Sequence, residues 1–84
     1  MESTSAPLQS LRGVQPDAET SDKVYLFKNV SVLRATYQIR LLALGAAAIG
    51  KSLILKVPPA CRFDQALDGL IQAMPDVIHR EDLA

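Results

Sequence analysis

The chain has 84 residues, one cysteine, one histidine and no tryptophan, and its 9 basic and 9 acidic side chains cancel to a formal charge of zero. That length bounds it to a single domain, and the cysteine and histidine counts exclude an internal disulfide framework and a Cys/His zinc cluster. The zero sum hides a segregation, because the stretch from Lys23 to Phe63 holds seven bases (Lys23, Lys28, Arg34, Arg40, Lys51, Lys56, Arg62) and no acid. Such a pattern gives a directional field that net charge does not reveal.

Residues 1–22, MESTSAPLQSLRGVQPDAETSD, are rich in Ser, Thr, Pro and acids and carry no sustained apolar period. They are expected to form a flexible acidic N-terminal arm, since so little apolar surface cannot offset the entropy of ordering. No apolar leader is visible, which together with the lone thiol places the expectation in the cytoplasm. In Lys23–Val30 the run Val24, Tyr25, Leu26, Phe27 predicts a strand buried on both faces.

Ser31 is a candidate N-cap for a helix whose apolar positions Val32, Ala35, Ile39, Leu42, Ala46 and Ile49 recur at steps of three and four. A second row, Leu33, Tyr37, Leu41 and Leu44, makes this helix apolar over most of its circumference, and Gly50 is its natural stop. The uncharged run Leu41 to Gly50 would span about 15 Å as a helix, half of a hydrocarbon core of about 30 Å. No membrane insertion is expected.

Ser52–Val57 predicts a second strand, stopped by Pro58 and Pro59. Asp64 then caps a helix with Leu67, Leu70, Ile71 and Met74 on one face, ended by Pro75, and Val77–His79 adds a short third strand. The expected fold is therefore α/β: a small β-α-β-α(-β) domain over residues 23–80, with a short, mainly parallel sheet and helices packed on it. The arm precedes it, and residues 81–84 form a fraying tail.

Gly45 to Ser52 (GAAAIGKS) matches the phosphate-cradling pattern G-x-x-x-x-G-K-[ST] and resembles the P-loop NTPases over those eight residues. The resemblance implies phosphate contact through Lys51 and a metal-holding hydroxyl on Ser52. That chemistry requires a strand before the loop and a helix after it. Here helical spacing precedes Gly45 and a strand pattern follows Lys51, so the reading is a helix end capped by Gly50, with no nucleotide cofactor. The strand–helix–strand–helix order with its basic first half is similar to small nucleic-acid-binding domains such as the Alba family, over about residues 23 to 74. That resemblance implies nucleic-acid contact, with Lys28, Asn29 and Lys56 nearest to the family's basic loop.

Cys61 and His79 are eighteen residues apart, and Asp64 and Asp68 lie one helical turn apart with the former used as a cap. Neither pair forms a persuasive catalytic constellation. No enzyme activity, cofactor or metal is expected. A core of roughly 60 residues supplies only a few kcal/mol, which favours association with a second copy or a partner protein. The expected function is thus a non-catalytic interaction or regulatory module. Its contacts are Leu33, Tyr37, Leu41 and Leu44 on the first helix, steered by Arg34, Arg40 and Lys51, or a sheet edge. The alternative from another class is a nucleic-acid-binding domain using Lys28, Arg34, Arg40, Lys51 and Lys56.

Overall fold

Val24 and Leu26 on one strand, and Leu53, Leu55 and Val57 on the next, are fully buried and share one strand parity. A two-residue period therefore puts them on a single sheet face. The computed structural model describes residues 15–83. Its elements are β1 (Ala18–Glu19), β2 (Lys23–Phe27), β3 (Val32–Leu33), α1 (Tyr37–Ala48), β4 (Ser52–Val57), β5 (Arg62–Phe63), α2 (Gln65–Ala73) and β6 (Ile78–Asp82). The main sheet has the order β1-β2-β4-β6, and β3 pairs with β5 in a second, two-stranded ladder. Strands β2, β4 and β6 are mutually parallel, whereas β1 runs antiparallel to β2. The small, mainly parallel α/β fold expected from sequence is the fold observed.

Because β2, β4 and β6 advance across the sheet in one direction, crossovers of one hand leave both helices on the same face. The core agrees. Ile39, Leu42, Ala43 and Ala46 of α1 and Leu67 of α2 join Val24, Leu26, Leu53, Leu55, Val57 and Ile78 in one cluster. Leu70, Ile71 and Met74 pack against it from the second helix, as their spacing predicts. Ile54, of the opposite parity, is buried but lies outside that cluster, on the far face.

Both helices are capped by side chains. Thr36 Oγ1 accepts from the Ile39 amide at 3.3 Å, and Asp64 Oδ1 accepts from the Leu67 amide at 2.9 Å. At the end of α1 the Lys51 amide donates to Ala46 O and the Gly50 amide to Ala47 O, with Gly50 at φ 74°. That is the paired closure in which a left-handed glycine satisfies the last carbonyls.

Three details differ from the sequence expectation. The first helix begins after Thr36 rather than Ser31, because Val32 and Leu33 are drawn into β3 by pairing with Arg62 and Phe63. Within the expected arm, residues 1–14 lie outside the described residues, but Ala18 and Glu19 pair with Tyr25 and Val24 as β1. Asp17 reinforces that hairpin, its carboxylate accepting from the Phe27 amide at 2.8 Å. The third strand runs on through Asp82 and takes up half of the expected tail, and the Leu83 amide still reaches Val57 O at 2.8 Å.

Candidate interaction surfaces

α1 is apolar nearly all round, so it has more greasy surface than one sheet face can cover. Its inner side supplies Ile39, Leu42, Ala43 and Ala46 to the core. On the outer side Tyr37 is 66% exposed and Leu44 is 61% exposed, with partly covered Leu41 between them. Steps of four and three place these three on one line, which exposed Ala48 continues by a further turn. Three of the four residues expected to make contact thus form a single stripe. Leu33, the fourth, precedes the helix and is only 4% exposed within the core, so it is withheld from any partner.

The basic residues are not all at one end of the sheet. Lys28 follows the carboxyl end of β2 and Lys51 precedes the amino end of β4, which are opposite ends of parallel strands. Lys51 Nζ pairs with the Glu19 carboxylate and donates to Thr20 O at 2.8 Å, tying the end of α1 to the β1–β2 turn. Lys56 projects on the far sheet face, 3.5 Å from Glu81. Arg34 and Arg40 remain near the start of α1, both exposed and neither in an ion pair among the described residues. The Arg40 Nε donates to Ala35 O at 3.1 Å, which holds the side chain against the first turn.

The far sheet face is a second candidate surface. Register aligns Tyr25, Ile54 and His79 in one row and Phe27, Lys56 and Glu81 in the next. The rings of Tyr25 and Phe27 lie 6.2 Å apart and Phe27 is 44% exposed. Among the described residues no helix covers this face. A sheet edge is the alternative contact, and of the two edges, β1 and β6, the latter exposes Arg80, Glu81 and Asp82. Charges along an edge oppose strand addition.

The features that suggested chemistry are dispersed. Gly45 to Ala48 of the GAAAIGKS segment form the last turn of α1, and its lysine amine is held by Glu19. Cys61 is buried with the helix-side core, whereas His79 sits on the opposite sheet face. A shallow depression of about 260 Å³ opens at the carboxyl ends of β2 and β4, lined by Asn29, Val30, Ser31, Pro58, Ala60 and Cys61. Its lining holds no carboxylate and no imidazole, and the one-way strand order gives no switch point to deepen it. Among the described residues no cluster of His, Cys, Asp or Glu could hold a metal, and no helix is long and apolar enough to cross a membrane. Comparisons with family models, curated proteins and solved structures gave no match.

Proposed function

We propose that this chain is a non-catalytic interaction module that associates through the outer face of α1. The observation that carries the reading is the aligned exposure of Tyr37 and Leu44 on either side of Leu41. Large apolar side chains scattered singly need no explanation, but a two-turn stripe on a helix has the form of a helix-packing surface. The site's chemistry is adhesive, since it presents one ring and methyls beside arginine and holds no acid/base pair. Sizing of a clarified native extract tests the proposal. The tagged chain should elute well above its 9.1 kDa monomer mass, and Leu44→Glu should return it to the monomer position. A wild-type chain that elutes as a monomer would sink the proposal. Leu44 carries no core packing, so this variant should melt as the wild type does.

A second reading, nucleic-acid binding, is favoured by one specific observation, the neighbouring rings of Tyr25 and Phe27 on the far sheet face. Aromatic rings on an open sheet are stacking platforms for single-stranded bases, and Lys23 and Lys56 share their strand parity. Fluorescence anisotropy with a labelled oligonucleotide should then show affinity that falls steeply with salt and drops at least tenfold in Phe27→Ala. Absence of binding at low salt removes this reading.

A further inference from the structure

α1 carries one charged residue along its length, Arg40, and Arg34 stands three residues before its first turn. On a helical projection Tyr37, Leu41, Leu44 and Ala48 fall within about 60° of one another, and Arg40 lies about 40° outside that band. The outer face is therefore an apolar ridge with a basic flank and no acid of its own.

Charge decides among the occupants such a ridge could take. A second copy laid antiparallel, centred anywhere from Leu41 to Ala43, would leave the two Arg40 positions only about 3–9 Å apart along the axis, across helices about 8–10 Å apart. A parallel pairing would set them level on opposite flanks of the seam, with no carboxylate on either α1 to meet them. Like charges brought together at a desolvating contact oppose docking. The chain's own residues 1–14 hold one acid and one base, Glu2 and Arg12, and so supply no acidic excess. An acidic partner has neither difficulty, and it would gain from two arginines that no carboxylate among the described residues engages.

We infer that the partner seated on α1 is an amphipathic helix of another protein, with a short apolar stripe flanked by Asp or Glu. This inference rests on the reading of α1 as the association surface. The apolar stripe of the partner packs between Tyr37, Leu41 and Leu44, while its carboxylates meet Arg40 and Arg34. Small Ala48 at the far end of the ridge allows close approach of the two backbones. Guanidinium groups suit carboxylates because they donate in a planar fork, so lysine at position 40 would be a poorer host.

Photo-cross-linking in the cells that make the protein tests both levels separately. The full chain carries p-benzoylphenylalanine in place of Leu44, or in place of exposed Gln72 on α2 as the control. Mass spectrometry of the Leu44 adduct should identify a segment with helical apolar spacing and an excess of Asp and Glu. A synthetic peptide of that segment should bind the wild-type chain at least tenfold more tightly than the Arg40→Glu variant. The same peptide with its acids changed to Lys should reverse that order. Cross-linking at Leu44 to another copy of this chain, or to a neutral or basic segment, overturns the acidic partner but leaves α1 as the surface. No adduct at Leu44 above the Gln72 control overturns both.

Discussion

Arg80 on β6 lies over the ring of Phe63, its guanidinium carbon 4.8 Å from the ring centroid. The same guanidinium donates to the carbonyls of Pro58 and Pro59 at 3.1 and 3.0 Å. One edge-strand side chain thus fastens the loop that leads from β4 through β5 to α2. Those two carbonyls precede the short ladder in which β5 pairs with β3, so the latch also steadies the approach to α1.

Removing that latch should be felt although Arg80 is exposed. Hydrogen bonds from a charged donor and a cation–π contact together suggest about 1 kcal/mol at a solvated site. For Arg80→Ala the melting temperature should fall by about 4–8 °C. Arg80→Lys should recover little of the loss, because an ammonium cannot stack on Phe63 and reach both carbonyls in one plane. Thermal unfolding followed by circular dichroism gives the comparison, and wild-type stability in Arg80→Ala would show the latch to be inert.

The Lys51–Glu19 pair should couple two distant parts of the chain. Its side chains are 15% and 20% exposed, drier than a surface pair and wetter than a core one. A double-mutant cycle of Lys51→Met and Glu19→Gln should return a coupling above about 0.5 kcal/mol. Denaturant midpoints of the four proteins measure it, and simple additivity would contradict the pairing. Mg²⁺ and ATP should leave the wild-type melting temperature unchanged, because this lysine is already engaged and a strand follows it.

Two glycines should respond in opposite directions. Gly50 closes α1 at φ 74° with no atom within 4 Å of an added Cβ, so Gly50→Ala carries backbone strain alone. The cost should be about 1 kcal/mol. Gly69 lies inside α2, also with open space around an added Cβ. Gly69→Ala should raise stability by about 0.5–1 kcal/mol through helix propensity. Chemical denaturation of the two variants checks both signs.

Inner and outer leucines of α1 should separate stability from association. Leu42 is fully buried, and Leu42→Ala should cost about 2–5 kcal/mol. Leu44→Ala should stay within about 0.5 kcal/mol of wild type in the isolated chain. Unfolding curves of the purified variants test this contrast, and a large loss in Leu44→Ala would mean that the outer face is packed in the isolated chain.

Much of this architecture is legible locally. The apolar run of β2, the branched run of β4 before Pro58-Pro59, the Asp64 cap and the three-and-four spacing of α1 each carry their own signal. What the sequence conceals is non-local. Val32 and Leu33 suit a helix or a strand equally, and only Phe63 and Arg62, some thirty residues onward, decide between them. β1 hides in a polar segment because its pairing is made by backbone and by the Asp17 carboxylate. The end of β6 reads as a tail because an edge strand tolerates charge on both sides. Of the proposed contact residues, Tyr37, Leu41 and Leu44 follow from helical period alone. The role of Lys51 does not, since its partner Glu19 lies 32 positions upstream.

The two residues of β1 have a practical consequence for anyone trimming the chain. They turn β2 from an outermost strand into an interior one, and Lys51 clamps them in place. A fragment cut at Lys23 would discard that guard and the Asp17 carboxylate together, baring a ladder of Val24, Tyr25, Leu26 and Phe27. Such a fragment would be prone to self-stacking into aggregates, and a minimal soluble unit has to start no later than Asp17.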